Sequence, residues 1–241
     1  MKWIIVTGHS KGLGKEIASQ LLRDTSFGVI GISRSGEEAV REWEQAYPGR
    51  AKHLAYDLSN SEGIKELYLQ EIRKIGPVYG LVNNSAAAYD DIVSNLNVDR
   101  LEFMFRVNVY SAMHLTKYVI RDMLLHRTEG AIVNVSSVSA HTGYKGLSMY
   151  AATKGAMEAF SLNVAREWGS KGIRSNCIVP GFMETSMSDS LTDEQKDRIY
   201  KRTSLKKPTD IVSAASTVLF LLSEQARSIT GSVIRVDNGT L

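Results

Sequence analysis

The stretch Trp3–Leu22, WIIVTGHSKGLGKEIASQLL, changes its hydrophobic period in the middle. WIIVT (Trp3–Thr7) is a continuous apolar run of strand length, as expected for a strand covered on both faces. From about Gly12 to Arg23, Ile17, Ala18, Leu21 and Leu22 recur at three- and four-residue spacing, which predicts a helix. The junction TGHSKGLG (Thr7–Gly14) places glycines at 8, 12 and 14. Gly8 lets the chain turn sharply off the strand, and Gly12 lets backbone approach a ligand. Gly14 lets the helix pack closely, while the N–H groups of its first turn face an anion. Strand before and helix after is the context that separates a phosphate-binding turn from a plain tight connection.

The alternation continues along the chain. FGVIGIS (Phe27–Ser33) reads as the second strand, followed by a polar helix to about Tyr47, and HLAY (His53–Tyr56) as a short third strand ending at Asp57. YGLVNN (Tyr79–Asn84), GAIVNVSS (Gly130–Ser137), IRSNCIVP (Ile173–Pro180) and SVIRVDNG (Ser232–Gly239) supply four more, with a long helical region before the fifth strand and a helix from about Asp210 to Leu222 before the last. Seven strands with intervening helices predict an α/β chain. The expected architecture is a single-domain Rossmann fold over residues 1–241, a doubly wound seven-stranded parallel sheet with helices on both faces. The long irregular piece is Gly181 to Lys207, and residues 182–207 are expected to cover a substrate.

Composition narrows the function classes. The 241 residues are 43% hydrophobic and 23% charged, with a formal net charge of +3. Lys and Arg are scattered rather than blocked, so no nucleic-acid partner is implied. Cys177, the single cysteine, excludes an internal disulfide, suits a reducing compartment and reads as a core residue. The N-terminus runs straight into a strand, leaving no room for a signal peptide, and no apolar run reaches the roughly 18 residues that span a bilayer. A cytoplasmic protein without a membrane partner is expected. No His, Cys and carboxylate cluster has metal spacing, so no metal is expected.

Two further stretches carry chemistry. The second strand ends Ile32-Ser33-Arg34-Ser35, without the carboxylate that binds a ribose 2′-hydroxyl in NAD sites. Arg34 and Lys11 would instead welcome a 2′-phosphate, so NADP(H) is favoured over NAD(H); the alternative is a solvated strand-end arginine. Asp57-Leu58 would fit an adenine edge, and Asp57 would equally cap the following helix. SMYAATKGA (Ser148–Ala156) places Tyr150 and Lys154 one helical turn apart among alanines. Either a half-buried tyrosine sits beside a solvent lysine, or an ammonium makes a phenol a usable acid.

Taken in order, TGHSKGLG, NNSA (Asn83–Ala86), Asn108, Ser137, YAATK (Tyr150–Lys154) and PGFMET (Pro180–Thr185) resemble the short-chain dehydrogenase/reductase family over essentially the whole chain. The resemblance implies Tyr150 as general acid in carbonyl reduction and base in alcohol oxidation. Lys154 and an oxidised nicotinamide would bring the phenol's pKa down toward working range, and Lys154 would also bond the nicotinamide ribose. Ser137, thirteen residues before Tyr150, would bond the substrate oxygen, its neighbour Ser136 pointing to the opposite face. Asn108, in RVNVYS, would hold a water on a proton-relay path, or else be a buried structural amide. Cofactor contacts are implied at Gly8, Ser10, Lys11, Gly12, Leu13, Gly14, Arg34, Asp57, Leu58, Asn83, Asn84, Tyr150, Lys154, Pro180, Gly181, Met183 and Thr185, the last reaching the nicotinamide carboxamide.

Two positions depart from the family pattern. NNSA replaces NNAG, which is expected to reshape the floor near the nicotinamide ribose. His9 stands where a small residue is commoner, and its imidazole is expected to face outward by the phosphates. His141 would line the pocket or sit in a solvated loop. The pattern most resembles 3-oxoacyl-[acyl-carrier-protein] reductases, implying a β-keto thioester on an acidic carrier protein that Lys171 and Arg127 would meet. Sugar, polyol and steroid dehydrogenases are nearly as similar. A non-catalytic NADP(H)-binding sensor or structural subunit is the rival of another class, disfavoured because Asn108, Ser137, Tyr150 and Lys154 are all present. The resemblance also implies a homotetramer or dimer.

Overall fold

A computed structural model of the chain describes residues 1–185, 188 and 191–240. Its elements run β1 (Trp3–Thr7), α1 (Gly12–Asp24), β2 (Gly28–Ser33), α2 (Glu37–Ala46), β3 (Ala51–Ala55), α3 (Ile64–Leu67), α4 (Arg73–Ile75), β4 (Val78–Asn83), α5 (Val98–Phe105), α6 (Ser111–His126), β5 (Gly130–Val135), α7 (Ser139–Thr142), α8 (Ser148–Trp168), β6 (Ile173–Pro180), α9 (Asp193–Lys201), α10 (Ile211–Leu222) and β7 (Val233–Val236). The strands form one sheet in the order β3-β2-β1-β4-β5-β6-β7, with every neighbouring pair parallel. The chain leaves β1 toward β2 and β3 and returns to the other side of β1 as β4. That reversal opens a crevice at the carboxyl ends of β1 and β4, where doubly wound sheets bind ligands.

The period-two alternation of β1 sorts its side chains onto two cores. Ile4 and Val6 pack with Ile17 and Leu21 of α1 and Val218 and Leu222 of α10. Trp3 and Ile5 face the other way, with Ile30, Ile32, Leu115 and Val119 of α6 and Val164 of α8. Parallel strands must be covered on both faces, and the continuous apolar runs of the sequence are the consequence. Asp210 starts α10 by accepting the backbone N–H groups of Val212 and Ser213 at 3.2 and 3.1 Å.

Three expectations change. The long helical region before β5 is broken by a π-helical turn, Arg106–Tyr110, between α5 and α6. The 182–207 segment is not wholly irregular: α9 lies within it, started by a reciprocal cap in which Thr192 Oγ1 accepts from Gln195 N–H at 3.3 Å and Gln195 Oε1 accepts from Thr192 N–H at 2.9 Å. Residues 186, 187, 189 and 190 of that segment lie outside the described residues. The last strand stops at Val236 because Asp237 turns the chain, its Oδ1 accepting the Gly239 N–H at 3.0 Å. Among the described residues no helix is long and apolar enough to cross a membrane.

Candidate active site

The phosphate turn is built as its glycines require. Gly8 and Gly12 have φ of +69° and +54°, backbone that a side chain disfavours, and a Cβ on Gly14 would stand 2.2 Å from the Gly8 carbonyl oxygen. The first turn of α1 carries no acidic residue and its cap position makes no side-chain hydrogen bond. Among the described residues no side chain caps its leading N–H groups, the condition for holding an anion. The residues present thus fit a dinucleotide's phosphates. Ser10 is half-buried and Lys11 exposed beside the turn, whereas the Leu13 side chain belongs to the core.

The asparagines after β4 support this turn from behind. Asn84 Nδ2 donates to the Thr7 carbonyl at 2.9 Å, and the N–H groups of Asn84 and Ser85 donate to Thr7 Oγ1 at 2.9 and 3.0 Å. Asn83 Nδ2 donates to Asn134 Oδ1 at 2.8 Å and Thr116 Oγ1 at 3.3 Å, tying β4 to β5 and α6. The side-chain N–H groups of both asparagines are thus engaged within the protein. The NNSA departure sets the Ser85 hydroxyl against Gly8, 2.9 Å from where a Cβ would be.

The remaining cofactor candidates fall into two groups. Pro180 and Gly181 end β6, the Gly181 N–H donating to the Val236 carbonyl at 3.0 Å. The Thr185 methyl lies 3.6 Å from the position of a Cβ on Gly12, so the chain after β6 returns to the phosphate turn. Met183 packs on the α1–α10 core. Arg34 is exposed at the end of β2. Asp57 is also exposed; its Oδ1 accepts the Ser59 N–H at 2.9 Å in a local turn, and it does not cap α3. The Leu58 side chain is buried with Ile30 and Ile32.

Lys154 is 3% exposed, and its Nζ donates to the Val135 carbonyl at 2.8 Å while lying 5.5 Å from the centre of the Tyr150 ring. Tyr150 is half-buried beside the Ser137 hydroxyl. Burial pushes the phenol up to about 12, the charge of Asp90 acts in the same sense, and the bond with Ser137 opposes both. Burial pulls the Lys154 ammonium down to about 8. The lowered phenol expected from the four-residue spacing is therefore not a property of the chain alone. Desolvation is the largest cause for both groups and drives each toward its neutral form.

Ser136 and Ser137 diverge as adjacent residues should. The Ser136 hydroxyl donates to Glu158 Oε1 of α8, and His141 Nε2 stands 3.0 Å from Oε2 of the same carboxylate, which ties His141 to α8. Asn108 projects from the π-helical turn, with Oδ1 accepting the Ala87 N–H at 2.7 Å and Nδ2 donating to the Ala87 carbonyl and Thr153 Oγ1 at 2.9 and 3.0 Å. Beside it lies a cavity of about 10 Å³, lined by Thr7, Asn83, Ser85, Asn108, Asn134 and Lys154 among others. That is room for about one water, and Asn83 Oδ1 and Asn134 Nδ2 are buried without a protein partner.

Sequence reasoning misplaced one residue. His9 does not face outward but is 0% exposed, its ring filling the space that Gly31 leaves on β2, where a Cβ would come within 2.4 Å. Burial, helped by the neighbouring His53, holds its pKa down at about 4. The available signal was a glycine in the middle of an otherwise branched strand, GVIGIS, which marks a close approach. Arg127 and Lys171 are exposed but precede β5 and β6, at the amino ends of the strands and thus at the opposite end of the sheet from this chain's own Tyr150. A carrier held there would face away from it. Among the described residues no group of three or more His, Cys, Asp or Glu is placed to hold a metal ion.

Comparison with known proteins points to one family of oxidoreductases. The family model described as Enoyl-(Acyl carrier protein) reductase matches residues 8–240. The chain is 34% identical to 3-oxoacyl-[acyl-carrier-protein] reductase FabG of Haemophilus influenzae over 241 residues, 99% of this chain and 97% of that protein. The structure of 4-hydroxyisoleucine dehydrogenase complexed with NADH superposes with a TM-score of 0.93 at 27% identity, covering 100% of this chain and 98% of that one. ElxO with NADP bound gives 0.91 at 26% identity, covering 99% and 98%.

Proposed function

Because the chain belongs to the short-chain dehydrogenase/reductase family of oxidoreductases, we propose that it uses NADP(H) to reduce a ketone, a β-keto acyl thioester before others, to a secondary alcohol. The observation that carries this reading is the meeting of Ser137, Tyr150 and a buried Lys154 at the carboxyl end of β5, beside the phosphate turn. When bound, the nicotinamide would supply the hydride. The chain's own groups handle the oxygen: Ser137 donates a hydrogen bond to the carbonyl oxygen, and the Tyr150 O–H delivers the proton to it as negative charge develops. Burial keeps the Tyr150 phenol in its protonated form, the form that donates in carbonyl reduction. Lys154, cationic below about 8, stabilises the phenolate left behind.

Preference for NADP(H) is supported by the exposed Arg34 and Lys11 and by the absence of a carboxylate at the end of β2. The thioester is supported by the likeness to a carrier-protein reductase. The likeness to 4-hydroxyisoleucine dehydrogenase supports a second reading, oxidation of a small hydroxylated substrate. We further take residues 1–241 as one domain, 182–207 as its substrate cover, and a homotetramer or dimer as its assembly. The test is oxidation of NADPH and of NADH with a panel of β-keto thioesters, diketones and keto sugars. Tyr150→Phe is expected to lower turnover by about 10²–10⁴-fold with NADPH binding kept. NADPH binding without turnover across the panel would favour a sensor instead.

A further inference from the structure

Beneath the turn that joins β2 to α2, a chain of side chains fixes where the protons must lie. The Ser33 hydroxyl donates its one proton to the Ser35 carbonyl, so toward His9 Nδ1, at 3.2 Å, it accepts. His9 therefore carries its proton on Nδ1. Its Nε2 is bare and accepts from Nδ1–H of His53 at 3.2 Å. The other nitrogen of His53, Nε2, stands 3.2 Å from Glu37 Oε1, and a carboxylate only accepts. Both contacts of His53 are satisfied together only when each of its nitrogens carries a proton. Glu37 Oε2 in turn accepts the Gly36 N–H at 3.0 Å, which closes the circuit on the same turn.

We propose that His9 and His53 form a proton-loaded bracket that holds the Ser33–Gly36 turn in the shape and charge that take a ribose 2′-phosphate. This rests on the NADP(H) reading above and assigns both histidines a positioning role in cofactor choice. The two glycines of the region serve the bracket: a Cβ on Gly31 would meet the His9 ring at 2.4 Å, and one on Gly36 would meet His9 Nε2 at 2.7 Å.

The charged groups around the bracket are few. Glu37 faces it from α2, and backbone N–H groups of Glu37 and Gly36 hold its carboxyl below the usual carboxylate range. Lys52, next to His53 on β3, is taken up by Glu44 of α2 at 3.6 Å. Arg34 lies in the turn and Lys11 in the phosphate turn, both exposed, while Trp43 of α2 covers His9 with an uncharged ring 6.1 Å away. Burial holds His9 neutral. A neutral His53 has one N–H for two acceptors, so it gives up either His9 or Glu37, and the turn loses both a bond and a charge.

Two measurements test the bracket on the full chain. Long-range ¹H–¹⁵N correlation spectra at about pH 6 should show His9 protonated on Nδ1 alone and His53 on both nitrogens. His9 protonated on Nε2, or a neutral His53, overturns the proposal whatever the cofactor. Fluorescence titrations with NADPH and NADH should then run from about pH 6 to about pH 9 for the wild type, His53→Gln and Glu37→Gln, each checked for folding by circular dichroism. Wild-type NADPH affinity should fall about tenfold further across that range than in either variant, with NADH affinity flat in all three. The phosphate's own ionisation is common to all and cancels. Parallel NADPH curves overturn the bracket alone. NADH binding tighter than NADPH at every pH instead sinks the NADP(H) reading and this role with it.

Discussion

Replacing Lys154 with methionine is expected to stabilise the protein while removing its activity. The ammonium is 3% exposed and its pKa falls from 10.5 to about 8, with burial as the largest cause. At about 1.36 kcal/mol for each tenfold change in proton affinity, that fall corresponds to about 3 kcal/mol of folding stability forgone at neutral pH. Methionine has similar length and no charge. It leaves the Val135 carbonyl, now bonded by Nζ at 2.8 Å, without its donor, a loss of about 1 kcal/mol. The net gain is about 2 kcal/mol, a rise of about 4–8 °C in Tm for a chain of this size. The pH dependence is the sharper readout. Between about 8 and 10.5 the unfolded lysine binds a proton that the folded one does not, so wild-type stability climbs through that window. Urea denaturation of both proteins at a series of pH values should show the gap largest near neutral, shrinking as pH rises through the window, and reversing slightly above it. A Lys154→Met protein less stable than wild type at neutral pH, with a gap that ignores pH, refutes the reasoning.

Other outcomes follow from the same geometry. Ser137→Ala should lower kcat/KM by about 10²-fold with NADPH affinity unchanged, read by steady-state kinetics and a binding titration. Gly14→Ala would force a Cβ within 2.2 Å of the Gly8 carbonyl and 2.5 Å of Asn84 Nδ2; a loss of about 2 kcal/mol of stability and weaker cofactor binding are expected in denaturation and titration. Asn108→Leu removes the partners of both Ala87 backbone groups and should cost about 2 kcal/mol in urea denaturation.

Much of the fold is written locally. A strand buried on both faces has to be apolar throughout, and an amphipathic helix has to repeat every three or four residues, so WIIVT and the helix after it declare themselves. Glycine at 8, 12 and 14 records a backbone need that no other residue meets. The Tyr150–Lys154 pairing is equally legible, since four residues on a helix always share a face. Other features depended on partners distant in sequence. The π-helical turn around Asn108 differs from the flanking helix only in its hydrogen-bond pattern, which leaves no composition signature. Helix α9 is polar enough to read as loop. His9 is buried because glycines on β2 and in the next turn make room for it, and its ring nitrogens meet Ser33 and His53. The charge states of Tyr150 and Lys154 belong to the same class. Spacing along a helix sets which groups are neighbours, but the free energy of a charge depends on how much water the rest of the fold has taken away, and only the packed chain decides that.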